Sequence, residues 1–327
     1  MSTNTNKKRV LVIQPLHAAG MAMLEQRDDI EIIQCDSLDE DVIAEAAKDV
    51  HAMTVRAAKI TKRIMDAAPD LMVVSRHGVG YDAVDLNTLT QRNIPLCIAV
   101  HSNMISVAEQ AMALLLGLAK DMFYYDDVTR RDGWPNRWPT RAVDIDGKKI
   151  LIVGFGRIGS QVAKRALGFD MQVYGYDPYI DQKIMTDAGV EPVSNYNSVL
   201  GDMDAVAIHC MKTTETTNMF STEQFQKMKS DAFLVNCARG GIVDEDALHS
   251  ALTSGEIRAA GLDVLLDEPS SADHPLFKLK NIILSPHIAG VTVESTQRMA
   301  TQTVDNVLRV FDGNIDPDCV VNSDVLK

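Results

Sequence analysis

The chain has 327 residues, an apolar share of 46%, and 32 basic against 45 acidic residues for a formal charge of −13. That length exceeds one typical hydrophobic core, so two domains are expected, and an acidic balance without a long Lys/Arg run argues against a nucleic-acid partner. No stretch approaches the roughly 20 apolar residues of a membrane span. The apolar run at 10–13 is too short for a signal-peptide core. Cys35, Cys97, Cys210, Cys237 and Cys319 are scattered without a C-x-x-C pair. This usage points to reduced thiols in the cytoplasm and against a structural metal centre.

In chain order, short apolar runs at 10–13, 31–35, 52–55, 72–75 and 96–100 read as strands, and amphipathic stretches around 17–26, 39–48, 61–67 and 85–91 read as helices, giving a small parallel α/β unit. Residues 102–125 keep helical spacing through Ile105, Ala108, Met112, Leu115, Leu116 and Ala119, with Ser102 as N-cap, and predict one long helix. Residues 132–139 hold both tryptophans, Trp134 and Trp138, in a turn-rich setting. They read as a connection or arm suited either to an interface or to packing on the parent domain. Further apolar strands fall at 205–208, 232–235, 259–262 and 282–284, which extends the reading to a second doubly wound sheet. Residues 292–311 then predict a helix long enough to return to the first domain, with a polar tail to Lys327. The expected division is 1–101 with 296–327 against 102–295.

At the centre, Lys149-Ile150-Leu151-Ile152-Val153 reads as a buried strand ending in Gly154, Gly156 and Gly159, spaced G-x-G-x-x-G, before an apolar-periodic helix from Ser160. Gly154 permits the tight turn, Gly156 lets backbone approach a pyrophosphate, and Gly159 lets helix and strand pack closely; the helix N-terminus adds free N–H groups and a positive dipole. A second strand, 172–176, runs into Asp177, about 20 residues beyond the turn, where a carboxylate would meet ribose hydroxyls. Strand, turn, helix, strand and acid together point to a dinucleotide. Asp177 without a neighbouring arginine favours NAD over NADP, since a carboxylate repels a 2′-phosphate.

Ligands of open parallel sheets bind beyond the carboxyl ends of strands, so residues placed there are candidates for chemistry. Arg239 follows the 232–235 strand, Glu268 lies shortly after 259–262, and His287 follows 282–284. Arg239 offers a planar fork for a carboxylate and a polarised carbonyl. His287 is the side chain suited to exchange a proton near neutral pH, and a neighbouring Glu268 carboxylate would hold its tautomer and favour its protonated form. Each residue alone has an ordinary structural reading: a surface arginine, a solvated loop acid, a satisfied buried histidine. Their shared position is what singles them out.

Several ordered motifs give the chain a resemblance to the D-isomer-specific 2-hydroxyacid dehydrogenase family over nearly its whole length. They are Arg76-His77-Gly78-Val79-Gly80-Tyr81-Asp82, Ser106-Val107-Ala108-Glu109, the glycine turn, Asn236-Cys237-Ala238-Arg239-Gly240-Gly241-Ile242-Val243-Asp244, Gly261-Leu262-Asp263-Val264 through Glu268-Pro269, and Ser285-Pro286-His287-Ile288-Ala289-Gly290. The resemblance implies two doubly wound parallel-sheet domains, a Rossmann NAD-binding domain inserted in a flavodoxin-like substrate domain. It also implies a catalytic Arg239, Glu268 and His287, and dinucleotide contacts at Arg157, Ile158, Asp177, Cys210, Cys237, Ala238, Arg239, Asp263, His287 and Gly290. Substrate-carboxylate binding is implied for the backbone around His77, Gly78, Val79 and Gly80, and a homodimer for the assembly.

The phosphoglycerate-dehydrogenase-like branch is the nearest likeness, because Arg56, Lys59 and Arg76 resemble its cationic positions around an anionic substrate tail. Solvation or pairing with acids is the competing role for these side chains. Three departures bear on the substrate. The sequence runs only to Lys327, without the C-terminal regulatory domain of many phosphoglycerate dehydrogenases. His77 replaces a small residue, and Met211-Lys212 follows His209-Cys210 where Pro-Leu is common. The expected activity is NAD-dependent interconversion of a small D-2-hydroxy acid and its 2-oxo acid. The alternative is a dinucleotide-sensing corepressor or scaffold of the same fold. Formate dehydrogenase is a weaker rival, because its pattern carries glutamine where Glu268 stands.

Overall fold

The computed structural model describes residues 7–131, 133–138 and 140–327; the basic N-terminal residues 1–6, and Asp132 and Pro139 of the expected arm, lie outside the described residues. The chain divides into two compact units. One takes the chain up to Asn103 and again Gly290–Lys327, and the other is Met104–Ala289.

In the first unit β1 (Lys8–Ile13), α1 (Ala18–Glu25), β2 (Ile30–Cys35), α2 (Glu40–Ala46), β3 (Ala52–Val55), α3 (Lys62–Asp66), β4 (Val73–Arg76), α4 (Leu86–Gln91) and β5 (Leu96–Ile98) alternate along the chain. The strands form a parallel sheet of order β2-β1-β3-β4-β5, the flavodoxin-like order, whose direction reverses between β1 and β3. Strand residues alternate between two cores. Leu11 and Ile13 join Ile43, Ile64 and Leu89 on one face, while Val10 and Val12 join Leu24, Val304 and Val307 on the other. Aspartates start the helices locally: Asp39 Oδ1 accepts from the Asp41 and Val42 N–H groups, and Asp85 Oδ1 accepts from that of Thr88.

The second unit contains α5 (Met104–Ala119), α6 (Met122–Arg130), β6 (Lys149–Val153), α7 (Arg157–Gly168), β7 (Gln172–Tyr176), α8 (Gln182–Asp187), β8 (Glu191–Pro192), β9 (Ala205–Ile208), α9 (Thr222–Lys227), β10 (Phe233–Asn236), α10 (Glu245–Ser254), β11 (Ala259–Leu262) and β12 (Ile282–Leu284). Its parallel sheet runs β12-β11-β10-β9-β6-β7-β8, so the order reverses between β6 and β9 and places a ligand crevice at their carboxyl ends. The chain returns to the first unit in α11 (Val293–Phe311), capped by Thr292, whose Oγ1 accepts from Ser295 N–H at 3.0 Å.

Four details differ from the sequence reading. The long helix over 102–125 is two helices, because Asp121 takes a left-handed conformation (φ 50°), which short polar side chains tolerate. Asp121 also pairs with Arg141, so the break is held from the side. Ser102 is not the N-cap; its hydroxyl donates to the Ala99 carbonyl at 2.6 Å. The second crossing between units lies at Gly290, ahead of 295/296, because the cap of α11 already belongs to the first unit. Finally, the polar tail is docked. Asn322 Oδ1 accepts from Leu96 N–H at 2.8 Å and its Nδ2 donates to the Ile94 carbonyl at 2.9 Å, which ties 320–322 to β5. Among the described residues, no helix is long and apolar enough to cross a membrane, and no three His, Cys, Asp or Glu residues cluster as metal ligands.

Candidate active site

The glycine turn follows β6 directly. Gly154 has φ 93°, and a Cβ there would lie 2.4 Å from the Cys210 nitrogen; a Cβ on Gly159 would lie 2.0 Å from the Gly154 carbonyl oxygen. Only hydrogen fits at either place. Gly156 is different: it caps α7 with no side-chain bond, and a Cβ on it would meet nothing within 4 Å. A bare backbone facing open space at a helix N-terminus is the cradle a pyrophosphate needs. Helix α7 starts at Arg157, three residues before the expected Ser160, so the cradle and the helix start coincide. Ile158 packs against the core beneath the turn.

Asp177 follows β7 and closes the other side. Its Oδ2 accepts from the Phe155 N–H at 2.9 Å and its Oδ1 from that of Tyr179 at 3.0 Å. The residues present therefore fit a dinucleotide: Gly156 and the first turn of α7 for the phosphates, and Asp177 for the ribose. Cys210 and Cys237 close β9 and β10. Burial pushes the Cys210 thiol up to about 11 and raises that of Cys237 as well, which favours the neutral thiol in both. The Ala238 N–H donates to Asn236 Oδ1 at 2.9 Å, and Asn236 Nδ2 donates to the Arg239 carbonyl at 3.0 Å, which fixes the turn that carries Arg239.

His287 Nδ1 lies 2.6 Å from Glu268 Oε2, and Glu268 Oε1 accepts from Leu265 N–H at 2.9 Å. Burial pulls the Glu268 carboxyl upward, but the His287 bond, the Leu265 bond and the charges of His287 and Arg239 outweigh it and hold the group below its ordinary value. Glu268 is thus a carboxylate, His287 Nδ1 carries the proton, and Nε2 is the atom left to exchange one. His287 itself sits at φ 54°. The conformation is imposed by Asp263, which is buried and accepts from Ser285 Oγ at 2.5 Å, Ile288 N–H at 2.9 Å and Ala289 N–H at 2.9 Å, while its carbonyl accepts from His287 N–H at 2.8 Å. A pocket of about 680 Å³ opens beside the pair, lined by Leu265, Phe277, Leu284 and Pro286 among others.

Residues 112–289 match the family model for the NAD-binding domain of D-isomer specific 2-hydroxyacid dehydrogenases. The chain belongs to this family. It is 36% identical over 308 residues to the D-3-phosphoglycerate dehydrogenase of Methanocaldococcus jannaschii, covering 94% of this chain and 58% of that relative. This chain therefore spans little more than half the length of such relatives. It is also 35% identical over 326 residues to the glyoxylate reductase of Korarchaeum cryptofilum, covering 98% of each. A solved structure from Thermus thermophilus matches with a TM-score of 0.85 at 32% identity, over 96% of this chain and 99% of that one.

The remaining expected site residues of this family member lie in the first unit. β3 and β4 are paired with Val55 opposite Arg76, so Arg56 and His77 come side by side at the carboxyl ends. Arg56 donates to the Pro15 carbonyl at 3.0 Å and Arg76 to that of His77. Burial first, then the charges of Arg56 and Arg76, push His77 down to about 4, so the imidazole is neutral near pH 7. Gly78, at φ 122°, turns the chain into Val79 and Gly80. Gly290 also falls in this unit, with its carbonyl accepting from Ser295 Oγ.

Sequence reasoning passed over three residues. His209, after β9, is enclosed with neither ring nitrogen bonded among the described residues, and burial pushes it down to about 4. Its place after a strand was the available signal. Glu245 and His274 pair at 3.0 Å across 29 positions, and no local pattern announces that contact.

Proposed function

We propose that the chain is an NAD-dependent oxidoreductase interconverting a small D-2-hydroxy acid and its 2-oxo acid. The observation that carries this is the 2.6 Å His287–Glu268 pair on the same sheet as the glycine turn. Bound NADH supplies the hydride. Arg239 holds the substrate carboxylate and polarises its carbonyl. His287 Nε2 gives the alkoxide its proton during reduction and takes it back during oxidation, while Glu268 keeps the imidazolium oriented and stabilised.

In the first unit, the His77 N–H is taken by the Val55 carbonyl at 2.7 Å, so in the expected stretch His77, Gly78, Val79 and Gly80 it is the amides of the last three, with Arg56 and Arg76, that offer donors and positive charge to an anionic group of the substrate. We therefore favour a 2-oxo acid with a second anionic group, in the direction of 3-phosphohydroxypyruvate. NADH oxidation should be followed against glyoxylate, hydroxypyruvate, 3-phosphohydroxypyruvate, sulfopyruvate and longer apolar 2-oxo acids. The expected outcome is preference for an anionic tail, with Arg56→Ala raising KM for that substrate about tenfold, the worth of one charge-assisted hydrogen bond. Preference for uncharged tails would make the arginines structural and leave a glyoxylate or hydroxypyruvate reductase. No turnover with any acid despite tight NADH binding would favour the sensing scaffold. NADPH is expected to serve poorly because Asp177 occupies the 2′ side.

The assembly we propose is a homodimer. Trp134 and Trp138 are 67% and 69% exposed, and Met122 and Phe123 of α6 are exposed as well, an apolar set within the second unit suited to a partner copy. Sedimentation at micromolar concentration that finds a monomer would refute it. All five cysteines are free thiols, which fits a reducing cytoplasm; recovery from a secreted fraction would count against that placement.

A further inference from the structure

We propose that Glu245 and His274 are a positioning pair that fixes the Leu265–Leu266 peptide, directly after the peptide on which Glu268 is held, and through it the His287–Glu268 pair; this rests on the acid–base reading of His287. Two consecutive amides face two different carboxylates. Leu265 N–H donates to Glu268 Oε1 at 2.9 Å, and Leu266 N–H donates to Glu245 Oε1 at 2.6 Å. The second oxygen of Glu245 lies 3.0 Å from His274 Nε2. His274 Nδ1 accepts from Leu276 N–H at 3.4 Å, so Nε2 carries the proton and donates to Glu245. One line thus runs from His287 through Glu268, the two consecutive peptides that meet at Leu265, and Glu245 to His274.

Glu245 opens α10, yet it is Asp244 that caps the helix, accepting from Ala247 N–H at 3.0 Å. Both oxygens of Glu245 are instead spent on the loop that carries Glu268. The side chains of Glu245 and His274 are 15% and 20% exposed, whereas those of Glu268 and His287 are 36% and 50% exposed. The supporting pair is the more enclosed of the two, as a support for a solvent-facing pair should be. The His274 ring also packs on Phe277, with centroids 5.2 Å apart. The strap has no slack on its other side: a Cβ on Gly240 would lie 1.9 Å from the Leu265 carbonyl oxygen. The 265–266 peptide therefore rests on the residue after Arg239, and any shift in it moves the Glu268 anchor against the Arg239 turn.

The test compares Glu245→Ala, Glu245→Gln and His274→Asn in the full chain. One readout is independent of turnover: the low-field proton resonance of the His287–Glu268 hydrogen bond. In Glu245→Ala this resonance should move or vanish and kcat fall on the order of tenfold, as misplacement of a catalytic group does, with KM and NADH affinity unchanged. Glu245→Gln keeps an acceptor for Leu266 N–H but turns an amide N–H toward the His274 Nε2 proton, so it should behave as His274→Asn does, with the resonance moved less than in Glu245→Ala. A wild-type resonance in Glu245→Ala overturns the proposal. If that variant does not fold, His274→Asn decides, because it frees one Glu245 oxygen while leaving the Leu266 bond; an unmoved resonance there overturns it equally. Loss of the resonance in a protein that turns over no 2-oxo acid keeps the positioning role and removes the dehydrogenase reading, whereas turnover with an unmoved resonance does the reverse.

Discussion

His287→Ala is expected to lower kcat for 2-oxo acid reduction about a thousandfold, within the range that a positioned acid–base group contributes, while NADH binds as tightly as before. Among the described residues no other imidazole is bonded to Glu268, whose oxygens accept from His287 and the Leu265 amide. Water can replace the proton donor but not the oriented imidazolium, so a residual rate is expected. The bare backbone at Gly156 follows another strand, β6, and is untouched. Stopped-flow reduction and NADH fluorescence titration on one preparation separate the two effects. Turnover near the wild-type rate would remove His287 from the mechanism.

The pH behaviour follows from the same pair. Glu268 is held below its ordinary value, chiefly because the bonds from His287 and Leu265 outweigh burial. Its folded-state pKa is depressed, so the pair's contribution to stability is present above the ordinary glutamate value and is lost as pH falls through the lowered one. An acid limb of kcat near neutrality therefore belongs to another group than Glu268.

Much of the fold was legible because parallel strands buried on both faces read as short apolar runs; β3, β9 and β11, buried at every position, lie where those runs lie, as do the partly exposed β7 and β12. What periodicity could not register was a break made by one residue. The spacing of α5 carries on across Lys120 and Asp121, but Asp121 turns left-handed and α6 leaves without a buried residue. The docked tail was hidden for a related reason: Asn322 is an ordinary polar residue until its partners on the Ile94 and Leu96 backbone are known. In the site, Arg239, Glu268 and His287 stood out because each follows a strand of one sheet. Asp263 also follows a strand, yet its carboxylate is taken up by the 285–289 turn, a role that needs three-dimensional contacts to recognise. The Glu245–His274 pair has no sequence signal at all.

Two glycines of the turn, Gly156 and Gly159, should separate folding from binding. Gly156 has φ −79° and ψ −154°, an extended backbone that β-branched residues accept, and open space where a Cβ would go. Gly156→Val should therefore lower the melting temperature only by the cost of replacing a glycine N-cap, while the added methyls exclude the pyrophosphate. Loss of its charge-assisted backbone bonds, about 2–3 kcal/mol, corresponds to an NADH affinity near a hundredfold weaker. Gly159→Ala places a methyl on the Gly154 carbonyl, so α7 must move from β6; here both the melting temperature and NADH affinity should fall. Calorimetric titration beside thermal denaturation distinguishes the two variants. Wild-type NADH affinity in Gly156→Val would mean that the phosphates do not pass this helix start, and the coincidence of bare backbone, open space and helix dipole at Gly156 would then be a feature of packing alone.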